Sequence, residues 1–546
     1  MKIRVGICCA LVFAAVPARS QRNETFHGML TPQVNSSKVS APQHLRGYVR
    51  DGKLTLSLRD AILLTLENNS LVRVNESQVE AAKFSLLGTY APFDPTLQAS
   101  ANANRYSSPG FSLIQGQGTF DQLTQLGQVT YTQTFHTGTT LQVQLNATKF
   151  ATSSGFYFIN PYWDSFLNFQ FTQPLLRNGW RFANTAPLII ARRNLQQSRA
   201  TFQAQVSSAV LQAVTQYWNV VRDRGNLQVD RESLGAAQAS YQRDKRALEL
   251  GALSPLEIYR PEAEVASRRV TAIQAEYTLK QAENALRMII GADQDNYVYA
   301  LDLDLTEKPE PLGELKTLDA TTALQQALAK RPEIQAVQRA LENDETSIRL
   351  AHNHLQPDLS LSGFYQSSGV GGNQFSLTTG ELTSTGGFGT AVNQLFRFTY
   401  PGYGASLTLN FPLKNRSAQA ELGTALVGRH RDLYSAQQVR EQITLDVNNA
   451  VHQLEVSKLS LAAGQTAVDL AQKTLSAEQR KTQLGAENVF LLLDAQTRVA
   501  IAQAGLLQAQ VDYQNAITTL EYAMGTILDA YQVQISDTAT SQPQQH

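Results

Sequence analysis

After residue 9 this chain has no cysteine. Disulfides and thiolate metal sites are therefore excluded from everything that follows the first turn of the polypeptide. The two cysteines, Cys8 and Cys9, fall in a segment that reads as a secretory signal. Lys2 and Arg4 give a basic start, Ile7 to Val16 is a short apolar run, and Ala18, Arg19 and Ser20 precede the expected cleavage before Gln21. That run is too short to span a bilayer, which needs about 20 residues. No processing cysteine follows a leucine-led lipoprotein pattern, so no lipid anchor is expected. Nor does any later apolar stretch reach helical spanning length.

Charge is also scarce. Charged residues make up 17% of the chain and cancel to a net charge of zero, which gives no basis for a nucleic-acid partner. The shortage is local. Between Pro95 and Gln173 the acidic and basic residues are Arg105, Asp121, Lys149 and Asp164. A soluble sheet would cover its outer face with lysine, glutamate and aspartate.

What the chain does have is a long internal duplication. Leu56, Ala61, Leu66, Pro95 and Leu97 fall on Leu318, Ala323, Leu328, Pro357 and Leu359, about 262 residues on and without a gap. Gln173, Pro174 and Leu175 match Phe411, Pro412 and Leu413. Leu250, Gly251 and Ala252 match Leu484, Gly485 and Ala486, and Gly291 matches Gly525. The unit is far longer than a solenoid repeat, so the two copies are halves of one pseudo-symmetric object. The division reads as a signal over 1–20, an N-terminal arm over 21–53, a first repeat over 54–317, a second over 318–532 and a tail over 533–546.

Each half contains a helical hairpin. Apolar residues recur at helical spacing through Val206, Val210, Ala213, Val214, Tyr217 and Val221, which predicts a helix over 182–250, roughly 100 Å long. Gly251 ends it. Ser254 and Pro255 are expected to cap and open a return helix to residue 290. The second half predicts 418–484, a stop at Gly485, a cap at Asn488 and a return over 487–523. Two further helices, 57–91 and 319–352, have about the length that the short arms lack. Stacked end to end with them they would complete four rods packed as a coiled coil.

Other segments alternate with period two. These are 95–104, 163–172, 359–366 and 403–411, each with one apolar face and one uncharged polar face. That is the pattern of an outer-membrane barrel strand. The stretches 107–127 and 367–398, rich in glycine, serine and threonine, are expected to be extracellular loops. An extra pair, 128–135 and 141–150, turns at Thr137 and Gly138, has no counterpart in the second half, and either widens the barrel or sits outside it. Four strands per chain, or six, cannot close a barrel that needs about eight. Open edges are not tolerated in hydrocarbon, so several chains must pool their strands.

With these features the chain resembles the TolC-type outer-membrane efflux protein family over about residues 54–531. The residues that carry the likeness are the duplicated helix entry, the Gln173, Pro174, Leu175, Leu176 strand-to-helix junction, and the two Leu-Gly tips at Leu250 and Leu484. The resemblance implies an α+β membrane protein: a homotrimer with a twelve-stranded β-barrel in outer-membrane lipid, continued by a periplasmic α-barrel. It implies an exit duct for efflux or type I secretion, served by a periplasmic membrane-fusion adaptor and, indirectly, an inner-membrane pump. Gly251, Ser254, Pro255, Leu256, Gly485, Asn488 and Val489 become the adaptor-docking tips. Asp494 and Glu257 match positions where the family places a constricting acidic gate. The chain departs from that pattern at Leu491, where a second acidic ring would stand, and at Glu487, which replaces a basic latch residue.

An enzyme finds no support: there is no nucleophile motif and no cofactor signature. His352 and His354 are the one tight histidine pair, and no cysteine, aspartate or glutamate joins them locally to complete a metal site. A non-conducting structural coiled coil of the envelope would explain the helices but not the charge-poor strands.

Overall fold

The computed structural model describes residues 42, 44–110, 118–154, 157–251, 254–311, 315–376, 378–483 and 489–534. The expected secretory signal, most of the arm, most of the tail, and Gly485, Glu487 and Asn488 lie outside the described residues. So do the side chains of 482, 483, 489 and 490.

The first half opens with β1 (Val49–Arg50), β2 (Lys53–Leu56) and helix α1 (Leu58–Asn68). A capping box starts α1: Asp60 N–H donates to Ser57 Oγ, and Ser57 N–H donates back to Asp60 Oδ2 at 3.1 Å. Helix α2 (Ser70–Gly88) follows, then strands β3 (Thr96–Pro109), β4 (Thr119–Thr134), β5 (Thr140–Thr152) and β6 (Ile159–Pro174). The long helix α3 (Trp180–Glu249) descends and α4 (Tyr259–Ile289) returns. Strand β7 (Asp302–Leu305) then pairs in parallel with β2, which closes the half on itself.

The second half repeats the plan with α5 (Ala320–Lys330), α6 (Pro332–His354), β8 (Asp358–Phe375), β9 (Leu382–Ser384), α7 (Phe388–Phe396), β10 (Tyr400–Asn410), α8 (Arg416–Gln483) and α9 (Val489–Ala523).

The expected single helices over 57–91 and 319–352 are each broken in two. At Asn69 the backbone turns extended and the side chain accepts from Leu71 N–H and Val72 N–H, which ends α1 and caps α2. At Arg331 the same break has a different cause: the ring of Pro332 excludes helical backbone from the residue before it. Ser254 and Pro255 do not open the return helix either. Glu257 N–H donates to Ser254 O at 3.0 Å, forming a turn, and the helix starts at Tyr259.

The four rods do form. Helices α2 and α4 both lie against α3, and α6 and α9 both lie between α3 and α8. The stacking points are the two helix breaks. Asn69 Nδ2 donates to Ile289 O at 3.3 Å, and Arg331 Nη1 donates to Ala523 O at 3.4 Å. The larger core surrounds the first break: Leu54, Leu56, Ile62, Val210, Val214, Tyr217, Leu286, Ile290 and Leu303 are buried together. A second cluster of Ala323, Ile443, Val447, Leu454, Tyr513 and Leu520 surrounds the other.

The strands run further than alternation suggests. Residues 107–109, 119–127 and 367–375 are strand, and part of 388–398 is helix α7, so the expected long loops are short. Apolar alternation fails in 367–375 because α7 lies on it. A Cβ at Gly369 or Gly371 would overlap the backbone of Ala391 or Gly387. The extra hairpin is part of the sheet, whose order is β10, β8, β6, β5, β4, β3, with β9 attached to β8. Each chain thus presents six consecutive antiparallel strands.

Candidate duct wall and periplasmic tips

The sheet has two chemically distinct faces. One cross-strand row reads Leu97, Tyr131, Val143, Phe169, Tyr365, Tyr403. The adjacent row on the other face reads Gln98, Thr130, Gln144, Asn168, Gln366, Gly402. Helix α7 covers this apolar face beside Trp163 and Gly371, and away from it the face is open: on the edge strands Leu97 is 72% exposed and Tyr403 80%. An apolar face this large, with uncharged polar residues behind it, suits lipid on one side and water on the other. Among the described residues both outer strands end in unpaired edges, since β3 pairs with β4 alone and β10 with β8 alone.

Among the described residues no helix is long and apolar enough to cross a membrane. The helices instead build a long wall whose rods touch closely. Gly225 of α3 admits the Leu507 side chain, and Gly464 of α8 faces Leu506.

At the far end, Gly251 adopts φ +73°, a conformation that an L side chain enters only at a cost, and so reverses the chain. Leu250 and Leu256 are 83% and 78% exposed there, and Ser254, Pro255 and Glu257 are exposed beside them. Asp494 lies in the first turns of α9. Its Oδ2 is 2.7 Å from Arg498 Nε, one turn on. It lines a groove of 530 Å³ between α8 and α9 with Leu470, Leu491 and Ile501. Among the described residues no hydrogen bond or ion pair joins Asp494 to Glu257. Arg268 donates to Thr497 and pairs with Glu264 at 2.7 Å, which ties α4 to α9 just above the tips.

The sequence reading missed Arg498, although its i,i+4 spacing from Asp494 was visible. It also missed Asp230 and Asp244 on α3. Burial pushes both carboxyls up from the ordinary carboxylate range, offset by Arg268 for Asp230 and by Arg243 for Asp244. No spacing rule flags them, because their burial comes from neighbouring rods. His354 Nδ1 sits 2.9 Å from Glu421 Oε2, and among the described residues no three candidate ligands cluster as a metal site.

The outer membrane efflux protein family model matches residues 61–292 and 323–526, one block in each repeat. The chain belongs to the outer membrane efflux protein family. It is 24% identical over 360 residues to the outer membrane protein TolC of Vibrio cholerae, an alignment that spans 66% of this chain and 76% of that protein. Among solved structures, CusC superposes with a TM-score of 0.61 at 18% identity, covering 91% of this chain and 99% of CusC. The Campylobacter jejuni CmeC outer membrane channel superposes at 0.60 and 15% identity, covering 91% of each. At these identities the superpositions speak for the fold, and the family match for the activity. This efflux protein is an outer-membrane channel, and its family is one of channels rather than enzymes.

Proposed function

We propose that three copies of this efflux protein close one β-barrel in outer-membrane lipid and one coaxial helical tube in the periplasm. The trimer is the exit duct of a tripartite efflux or type I secretion system. It passes small molecules or polypeptides from an inner-membrane pump to the exterior. The observation that carries this reading is the pair of open edges, β3 and β10, on a sheet with one apolar and one polar face. Hydrocarbon does not tolerate unpaired backbone groups, so β3 of one copy must meet β10 of the next. The repeats 54–317 and 318–532 would then alternate around the axis.

The tips are the docking end for a membrane-fusion adaptor. Gly251, Ser254, Pro255 and Leu256 form one tip, and Gly485, Asn488 and Val489 the other. The exposure of Leu250 and Leu256 at the end of a helix about 105 Å long supports this placement. Asp494 and Glu257 form the carboxylate constriction of the closed gate, with Arg498 moderating Asp494. A non-conducting envelope coiled coil would leave the two-faced sheet without purpose.

Single-channel recording from the purified protein in a planar bilayer tests the reading. Discrete conductance steps from a crosslinkable trimer are expected. A compact monomer in mild detergent, or a bilayer that stays silent, would overturn it.

A further inference from the structure

We infer that the outer-membrane barrel of this protein is built from eighteen strands rather than twelve, and that its mouth admits correspondingly broader cargo. The inference rests on the trimeric reading above. Its basis within one chain is the position of the hairpin β4–β5. That hairpin is not appended to a four-stranded sheet. It stands between β3 and β6, which do not pair with each other.

Every residue of β3 from Thr96 to Pro109 has its partner on β4, from Thr132 to Thr119. On the other side, Thr140 to Phe150 of β5 pairs without a break with Thr172 to Tyr162 of β6. Swinging the hairpin out of the wall would strip β3 of its one partner in the chain. The hairpin also keeps the two-faced chemistry. Tyr131, Val143 and Leu145 continue the apolar face, and Gln128, Thr130, Gln142 and Gln144 continue the polar one. A hairpin held outside the barrel would need no such matching. Its turn reaches the periplasmic end of the sheet, where Gly138 (φ +83°) sits against Pro174, Asn178 and Asn184 at the β6-to-α3 junction. It therefore runs the full height of the wall.

Dimensions agree. Strands about 4.8 Å apart and tilted by about 40° each occupy roughly 6.3 Å of circumference. Twelve strands give about 75 Å and eighteen about 113 Å. Four rods per chain make a ring of twelve helices, which at about 9 Å each needs about 108 Å. Eighteen strands thus meet the helical tube without a narrow neck, and the barrel is about 1.5-fold wider than a twelve-stranded one. The lumenal row Gln98, Thr130, Gln144, Asn168, Gln366 and Gly402 has no charge, and on the same face Asp164 stands nearer the mouth.

Electron cryo-microscopy of the full-length protein in lipid nanodiscs tests this by counting strands. Eighteen in a trimer is the expected result. A trimer with twelve wall strands and a detached hairpin would overturn the inference and leave the duct reading intact. An assembly other than a trimer would overturn the duct reading itself.

A functional arm uses the absence of cysteine after residue 9. In Gln366→Cys, polyethylene glycol maleimides of increasing size are added from outside. The largest that reacts is compared with a variant in which residues 110–158 are replaced by a short turn joining β3 to β6. Removing the hairpin is expected to lower the limiting diameter by about 1.5-fold. An unchanged limit in a folded, trimeric variant would overturn the inference, and should that variant not fold, the strand count still decides.

Discussion

Asn69 and Arg331 occupy equivalent positions in the two repeats and fasten the same joint. Asn69 Nδ2 donates to Ile289 O, and Arg331 Nη1 donates to Ala523 O. In each half the acceptor is a carbonyl in the last turn of the returning helix, just before the left-handed glycine, Gly291 or Gly525. One uses a short amide and the other a buried guanidinium. Around Arg331 the joint is also electrostatic. Its Nη2 lies 2.9 Å from Glu333 Oε1, its Nη1 lies 3.5 Å from Asp446 Oδ2, and its plane stands 5.2 Å from the Tyr522 ring centre.

Arg331→Ala should destabilise the protein by about 2 kcal/mol, because it strands the Ala523 carbonyl and two half-buried carboxylates. Asn69→Ala should cost about 1 to 2 kcal/mol through the lost cap and the lost bond to Ile289. Denaturant unfolding of the purified assembly measures both. Equal stability of Arg331→Ala and the parent would mean that the guanidinium does not hold the joint.

Tyr217 should give the larger core, around the break at Asn69, a measurable pH dependence. It is fully buried, donates to Leu56 O at 3.2 Å and accepts from Glu307 N–H at 3.3 Å. Burial pushes its hydroxyl up to about 12. The folded state therefore holds a proton that the unfolded chain loses near its ordinary value of about 10. Stability from this group is complete below pH ~10 and is lost as pH rises toward 12. Tyr217→Phe should flatten the alkaline limb of a melting-temperature profile. An unaltered limb would assign it elsewhere.

The entrance should respond to Asp494 and Arg498 in opposite directions. An exposed i,i+4 pair is worth only about 0.3 to 0.5 kcal/mol, so the pairing cancels neither charge. Asp494→Asn is expected to lower cation preference and weaken block by trivalent cations, while Arg498→Gln raises the preference. Reversal potentials under a salt gradient report both. If neither mutation moves them, Asp494 is a carboxylate favoured at a helix start and takes no part in conduction.

Gly251→Arg should abolish efflux while the assembly still inserts. Among the described residues nothing lies within 4 Å of a Cβ at Gly251, and the left-handed backbone costs about 1 to 2 kcal/mol. Gly485→Arg is expected to act alike. Drug-accumulation assays beside detergent-resistant assembly on gels separate docking from folding. Transport that survives both changes would remove the tips from the docking surface.

The linear chain determined the plan of this protein because its signals are periodic and local. The helical spacing through Val206, Val210 and Tyr217, the glycine stops, and the alternation in 95–104 and 403–411 each depend on neighbours a few residues away. The duplication of Ala61 onto Ala323 told which parts correspond. The structure decided what depends on partners far apart in sequence. The break at Asn69 depends on a side chain folding back onto its own backbone and reaching Ile289. The strand through Gly369 and Gly371 looked like loop because its glycines answer to α7, which packs on them from a later segment. The hairpin β4–β5 was legible as two strands. Its place between β3 and β6 was not, because alternation fixes which face a residue takes but not which strand lies beside it. Pairing order is a long-range choice, made by edge hydrogen bonds and by the matching of two faces across the whole sheet.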